Sequence, residues 1–280
     1  MTEWFSNGAV TQLSASDRGL QYGDGLFETV AIRKGEPRLW DFHIDRLTSG
    51  CRLLGINMPA TEDLYKGIQH AVRQSGVPSS YCIVKIIVTA GAGRRGYGRQ
   101  LVDTPAVTIA AFPSAPSPIE SYRDGIEIAL CATRLASNSP LAGCKTLNRL
   151  EQVLARSEFV DSAVFEGLTM DADDRIICGT MSNVFVVSGG AIATPSLHSS
   201  GVKGVMRRYI IETLKEQGIE TGIRTVKLDE MDNMDEVFVC NSQIGIMPVR
   251  RCMDKNWSVG EVTRTVMAAL AGRGIGECRL

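Results

Sequence analysis

A proline-rich stretch is the feature that most restricts how this chain can fold. Residues 112–118 read Phe-Pro-Ser-Ala-Pro-Ser-Pro, which places three prolines within six residues. Proline lacks a backbone N–H and has a fixed φ, so the stretch disfavours both helix and sheet. The sequence therefore predicts a small α+β domain over residues 1–112, a proline-rich linker over 113–121 and a larger domain over 122–280.

Apolar, β-branched runs and helical patterns occur on both sides of the linker. In the small domain these patterns predict strands at 25–33, 82–90 and 106–112, and helices at 41–54 and 62–75. In the larger domain they predict strands at 126–135, 162–168, 174–178, 183–188, 191–194 and 236–241, and helices at 146–160 and 204–217. A last helix is expected to begin at Ser258, with Glu261 three residues on in the capping-box pattern. The mixture indicates an α+β architecture.

Composition excludes several classes of protein. The 280 residues carry a net charge of −1, so there is no basic excess to neutralise nucleic-acid phosphates. The longest apolar runs are about the length of a strand, which argues against a membrane span. The first residues lack the pattern of a signal peptide, so we expect a cytoplasmic protein. Eight cysteines without a CxxC pair, and three histidines, predict reduced thiols and no metal site.

The segment of residues 141–156 reads LAGCKTLNRLEQVLAR and contains the candidate catalytic lysine, Lys145. Lys145 belongs to the predicted larger domain and lies among small and apolar residues between a predicted strand and a predicted helix. Burial there would disfavour the ammonium form and lower its pKa, as a lysine that bonds a carbonyl cofactor requires. By itself, a lysine before a helix is more often a solvated surface residue. The other motifs of the chain therefore decide whether Lys145 is interpreted as catalytic.

Four further motifs accompany this segment, namely DRGLQYGDGLFET at 17–29, FHIDRL at 42–47, GTMSNVF at 179–185 and GVKGVMR at 201–207. Together they resemble the fold-type-IV enzymes that use pyridoxal 5′-phosphate (PLP). That group includes branched-chain aminotransferases, D-amino-acid aminotransferases and 4-amino-4-deoxychorismate lyases. The resemblance runs from Asp17 to Pro248, and LAGxKxLNRLEQVLxR together with Arg95-Gly-Tyr97 is similar to the lyases in particular.

The resemblance implies a small α/β N-terminal domain, a larger β-barrel-like C-terminal domain and a homodimer. It implies conversion of 4-amino-4-deoxychorismate to 4-aminobenzoate and pyruvate, a step toward folate. Lys145 would bond PLP and act as the general base, and Thr29 either orients the leaving group or a proton or serves only packing. The residues it implies for cofactor binding are Arg46, Lys145, Cys178, Ser182, Asn183, Val205, Met206 and Ser242.

Arg46 matches the phosphate arginine of the group, and its planar guanidinium suits a phosphate. His43 lies three residues earlier on the same helical face and is expected to support it. The N–H groups of Val205 and Met206 open a helix, which favours anion binding. Ser242 matches a position of the group that often adds a hydroxyl to the phosphate site.

Two departures from the pattern leave alternatives open. Most relatives carry a glutamate facing the pyridine nitrogen where this chain has Cys178, and a thiol keeps that nitrogen protonated less well. Cys178 favours elimination over transamination, but a D- or branched-chain aminotransferase and a catalytically degenerate PLP-binding protein remain alternatives. Some relatives carry an arginine at Ala90. The candidates for binding substrate carboxylates here are Arg94, Arg95, Tyr97 and Arg149.

Overall fold

The chain forms two compact units in a computed structural model that describes residues 3–6, 9–10, 13–99, 104–137, 140–159 and 163–279. The first unit comprises Met1–Ala115 together with Cys144–Asn148. The second comprises Pro116–Gly143 and Arg149–Leu280. The division falls within the expected linker, but the lysine segment belongs to the first unit and not to the larger one.

The described residues of the first unit form a six-stranded antiparallel sheet and three helices. Its elements are β1 Phe5–Ser6, β2 Ala9–Val10, α1 Arg18–Tyr22, β3 Gly25–Arg33, β4 Glu36–Pro37, α2 Trp40–Leu54, α3 Thr61–Ser75, β5 Tyr81–Thr89 and β6 Ala106–Pro113. The strand order is β2-β1-β6-β5-β3-β4.

Period-two burial explains how this sheet packs. In β5, Val84, Ile86 and Val88 are buried while the residues between them are only half-buried. Leu64 and Ile68 give α3 one buried stripe, and both join the same apolar core. One face of the sheet thus packs on the helices, and the other face carries the residues between the buried ones.

In the second unit, the part of the chain that the structure describes forms a nine-stranded mixed sheet and four α-helices. Its elements are α4 Ile119–Arg123, β7 Ile126–Leu135, α5 Leu150–Ser157, β8 Glu166–Asp171, β9 Ile176–Gly179, β10 Asn183–Ser188, β11 Ala191–Pro195, α6 Val205–Glu216, β12 Thr221–Arg224, β13 Glu236–Asn241, β14 Gly245–Cys252, β15 Lys255–Asn256 and α7 Glu261–Gly272. Two short 3₁₀ helices span Leu228–Asn233 and Gly276–Cys278. The strand order is β12-β11-β10-β13-β14-β7-β8-β9, and β15 pairs with β14.

Most expected elements are confirmed, and two helix starts are wrong. The expected helix over 146–160 begins only at Leu150, because residues 145–147 pair with β3. Residue 160, and residue 162 of the strand expected over 162–168, lie outside the described residues. The expected capping box at Ser258 does not form. Instead α7 begins at Glu261, where the Glu236 carboxylate accepts hydrogen bonds from the N–H groups of Val262 and Thr263 at 3.0 and 2.7 Å.

Helices and sheets occur in both units, so the α+β expectation is confirmed. Among the described residues, no helix combines the length and apolarity needed to cross a bilayer.

Candidate active site

Lys145 lies on a short segment that pairs with β3 along the edge away from β5. The Phe27 N–H donates to the Lys145 carbonyl, and the Leu147 N–H donates to the Gly25 carbonyl, both at 3.0 Å. Facing residues of an antiparallel pair point to the same side. The Lys145 side chain accordingly lies over the Phe27 ring, with its Nζ 4.3 Å from the ring centroid. Strand pairing therefore determines where the candidate catalytic amine lies.

A second lysine, Lys85 of β5, faces the same ring. Lys85 pairs across the sheet with Thr29, and its Nζ lies 4.9 Å from the Phe27 centroid. This sheet face thus presents the amine of Lys145, a second cation and the Thr29 side chain beside one aromatic ring. The motif comparison missed Lys85, although a single charge in the apolar strand Ile-Val-Lys-Ile-Ile-Val was a signal available in the sequence.

Arg46 is held by a buried carboxylate that the sequence analysis missed. Glu28 is almost wholly buried and accepts hydrogen bonds from Arg46 Nε at 2.8 Å and from an Arg46 Nη at 2.5 Å. His43 Nδ1 lies 2.6 Å from the same carboxylate. His43 therefore supports Arg46 through Glu28, which fixes the plane and direction of the guanidinium.

Burial and charge set the protonation of this cluster. Burial opposes ionisation of Glu28, but the charge of Arg46 and the hydrogen bonds from Arg46 and His43 outweigh it and lower the pKa of Glu28 to about 2. Burial is the main cause that lowers the pKa of His43, and the positive charges of Arg46 and Lys145 add to it. His43 is consequently neutral at pH 7 and donates from Nδ1, while its buried Nε2 has no hydrogen-bond partner within the described part of the chain.

The loop that carries Arg94, Arg95 and Tyr97 is exposed but anchored at its base. The buried Arg18 donates to the carbonyls of Gly96 and Tyr97 at 2.9 and 3.0 Å. Tyr97 itself is 88% exposed. The loop therefore presents its arginines and Tyr97 to the surroundings from a fixed position in the first unit.

Cys178 of the second unit is buried at the end of β9. Burial raises the pKa of its thiol to about 11, although a hydrogen bond with Thr169 and the charge of Arg149 act in the opposite direction. The Sγ lies 3.7 Å from the Thr169 hydroxyl. Cys178 is therefore a neutral thiol at physiological pH and cannot replace a carboxylate as an anion.

The start of α6 has the properties of an anion site. Neither Val205 nor Met206 donates its N–H to another described residue, and both residues are buried. The first turn of α6 contains no acidic residue. Since unsatisfied N–H groups and the helix dipole both favour an anion there, the residues present fit a phosphate group.

The remaining expected residues also fall in the second unit. Ser182 donates its hydroxyl to Glu166 at 2.7 Å, and the side-chain amide of Asn183 bonds the backbone just before α6. Ser242 accepts from the side chain of Gln243 at 3.4 Å.

The first unit thus holds six of the expected site residues and the second holds seven. Those of the first unit are Thr29, Arg46, Arg94, Arg95, Tyr97 and Lys145, and those of the second are Arg149, Cys178, Ser182, Asn183, Val205, Met206 and Ser242.

Comparison with known proteins gives one family match and several relatives over nearly the full chain. Residues 25–252 match the family described as amino-transferase class IV. The crystal structure of 4-amino-4-deoxychorismate lyase from Pseudomonas aeruginosa is 41% identical, has a TM-score of 0.89, and the match covers 96% of this chain and 98% of that one.

Two curated relatives match at similar identity but are named for different activities. Aminodeoxychorismate lyase of Vibrio harveyi is 32% identical over 95% of this chain and 98% of its own. A putative branched-chain-amino-acid aminotransferase of Methanocaldococcus jannaschii is 31% identical over 90% of this chain and 88% of its own. The family match and the structural match together show that the two units have the fold that the sequence resemblance implied.

Proposed function

Because the chain belongs to the amino-transferase class IV family and is a PLP-dependent lyase, we propose that it converts 4-amino-4-deoxychorismate to 4-aminobenzoate and pyruvate. The observation that carries the proposal is the position of Lys145. Its half-buried amine lies over Phe27, with Lys85 against the same ring. A substrate with two carboxylates and one amine matches a reacting lysine accompanied by a second cation.

The residues that would hold PLP supply an amine for its carbonyl carbon and donors for its phosphate. Lys145 supplies the amine that bonds it, and Arg46, oriented by Glu28, supplies a guanidinium for its phosphate. The N–H groups of Val205 and Met206 supply hydrogen-bond donors of the kind a dianion needs. When bound, PLP withdraws electrons from the amine-bearing carbon of the substrate.

The Lys145 amine, free once the substrate amine has taken its place, then acts as the general base that removes the proton from that carbon. As the C–O bond breaks, the enolpyruvyl group leaves with the bonding electrons, gains a proton and becomes pyruvate, while the ring becomes aromatic. In this proposal Thr29, which faces Lys85 in the sheet, orients the leaving group or a proton. Lys85 is a candidate, beside the loop arginines, for holding a substrate carboxylate.

The neutral thiol of Cys178 supports elimination over transamination. Transamination requires a carbanion that persists long enough to be protonated elsewhere, which a protonated pyridine nitrogen favours. An elimination depends less on that stabilisation, because the leaving group takes the electrons. A thiol with a pKa of about 11 provides no negative charge to hold such a proton.

One assay tests the proposed function. The protein is incubated with chorismate, an amination partner enzyme and an ammonia source, and 4-aminobenzoate and pyruvate are measured. We expect equal amounts of both products, and we expect Lys145→Ala to abolish turnover and the visible absorbance of bound PLP. Consumption of a 2-oxo acid with an amino acid, without 4-aminobenzoate, would instead identify an aminotransferase. Visible absorbance with neither activity would identify a degenerate PLP-binding protein.

A further inference from the structure

Glu166 is a buried carboxylate that the proposed chemistry does not use. It is 1% exposed, and no lysine, arginine or histidine of the described residues forms an ion pair with it. Its Oε1 accepts from the Thr180 N–H at 3.1 Å and the Thr180 hydroxyl at 2.5 Å. Its Oε2 accepts from the Met181 N–H at 3.2 Å and the Ser182 hydroxyl at 2.7 Å. Charge-assisted hydrogen bonds of this kind are the stronger ones, so Glu166 fixes the turn that follows β9.

The turn continues directly into Asn183, whose side chain joins a different segment. Asn183 Nδ2 donates to the Val202 carbonyl at 3.0 Å, and its Oδ1 accepts from the Gly204 N–H at 3.1 Å. Asn183 is 6% exposed. The NH₂ and the carbonyl group of one side-chain amide therefore hold Val202 and Gly204, which lead into α6.

The approach of Asn183 to Gly204 leaves no room for a side chain. A Cβ on Gly204 would lie 2.0 Å from Asn183 Oδ1. Gly204 is the residue just before α6 and has no side-chain cap, so the position of the first helical N–H groups depends on this contact. Those groups belong to Val205 and Met206.

We propose that Asn183 and Glu166 are positioning residues for the phosphate-binding turn at the start of α6. Glu166 holds residues 180–182, residue 183 follows in fixed orientation, and its amide sets the direction in which the Val205 and Met206 N–H groups point. Asn183 thus acts through Gly204 and is not itself a ligand of the cofactor. This inference rests on the proposed function only for the identity of the anion, the phosphate of PLP.

The test compares PLP with pyridoxal, which lacks the phosphate. Each is titrated into full-length protein freed of cofactor, and binding is followed by visible absorbance. Loss of the two Asn183 hydrogen bonds in Asn183→Ala should weaken PLP binding by about 10- to 30-fold and leave pyridoxal binding nearly unchanged. Glu166→Gln should lower the affinity for PLP relative to pyridoxal as well, but by a smaller factor.

Leu214→Ala is the control for general instability. Leu214 is fully buried on the same helix, α6, far from its first turn, so this variant should destabilise the protein and weaken both ligands equally. If Asn183→Ala also weakens PLP and pyridoxal by the same factor, the positioning role is refuted. A parent protein that binds neither ligand would refute the proposed function instead.

A second pair of variants keeps the test decisive if Asn183→Ala alone does not fold. Gly204→Ala brings a Cβ against Asn183 and should lower the PLP affinity relative to pyridoxal. Combining it with Asn183→Ala removes the clash, so the double variant should bind PLP, relative to pyridoxal, more tightly than Gly204→Ala alone. A double variant that binds PLP no better than Gly204→Ala would show that the two residues are not coupled and would overturn the inference.

Discussion

At the scale of single residues, Glu28 links the candidate site to the stability of the protein in acid. Its pKa is about 2 in the folded protein against 4.5 for an ordinary glutamate. A lowered carboxyl pKa stabilises the folded state fully above pH 4.5, and this contribution of about 3 kcal/mol is lost as the pH falls toward 2. The lowered pKa of His43 acts in the same direction below pH 6.5.

Glu28→Gln should therefore change the dependence of stability on pH. At pH 7 the variant should lose about 3–5 kcal/mol of unfolding free energy, because Arg46 loses its buried partner. Between pH 5 and 3 its stability should fall less steeply than that of the parent, as measured by urea unfolding at each pH. Glu62→Gln, which alters an exposed pair with Lys66, is the control and should follow the parent. If the unfolding free energy of Glu28→Gln falls between pH 5 and 3 as steeply as that of the parent, this assignment is contradicted.

Cys178 is the residue at which reaction preference can be tested. Cys178→Glu should stabilise a protonated pyridine nitrogen and raise side transamination of amino acids, while lyase activity changes less. Cys178→Ser should remain close to the parent, because a hydroxyl and a thiol with a pKa of about 11 are both neutral. The measurements are pyruvate release and amino-acid half-transamination in all three forms.

The opposite pattern would change the interpretation of this position. If the Glu form gains lyase activity by orders of magnitude while transamination stays constant, Cys178 impairs the enzyme and does not tune it.

At the scale of elements, the pairing of residues 145–147 with β3 determines where Lys145 lies. Gly23 has φ +65°, and a Cβ there would lie 2.4 Å from Asn148 Oδ1. The Asn148 side chain in turn donates to the Gly23 carbonyl at 3.2 Å. A side chain on Gly23 would thus push against the end of the lysine segment.

Gly23→Ala should cost more than backbone strain alone. Gly35 also has a positive φ, +86°, but the space that a Cβ would occupy there is open, so Gly35→Ala should cost about 1–2 kcal/mol of unfolding free energy. Gly23→Ala should exceed that value and should also lower the visible absorbance of bound PLP, which Gly35→Ala should not. Equal stability and equal absorbance in the two variants would show that the Asn148 contact does not hold the segment.

At the scale of the whole molecule, an exposed apolar stripe on α5 supports the homodimer that the resemblance implies. Leu150, Val153 and Leu154 are 77%, 61% and 58% exposed, and their spacing places them on one side of the helix. Exposed clusters of large apolar side chains commonly mark protein–protein contacts. We propose that a second copy of this chain covers the stripe.

Light scattering during size-exclusion chromatography tests this assembly. The parent should elute with twice the mass of one chain, and Val153→Glu combined with Leu154→Glu should shift it toward the monomer. Leu53→Glu changes a leucine that is 50% exposed on α2 and should leave the mass unchanged. A double variant that remains fully dimeric would exclude α5 from the interface.

Local patterns were sufficient to predict much of the fold. The strands Ile126–Leu135 and Glu236–Asn241 lie where their β-branched runs predicted them, and α3 follows its apolar stripe, because periodic burial is a short-range signal. The motif around Lys145 indicated the family before any contact was known. These features depend on residues close together in the chain.

Only the tertiary structure could decide which side chains meet. Lys85 reaches Phe27 through the register of β3 and β5, and Glu28 binds Arg46 across 18 residues. Thr146 and Leu147, just after Lys145, lie in a strand-like segment where helix propensity predicted a helix, because β3 offers backbone partners that an isolated segment lacks. Asn183 and Gly204 are likewise 21 residues apart. Such contacts depend on how elements pair and pack, which no local pattern of residues encodes.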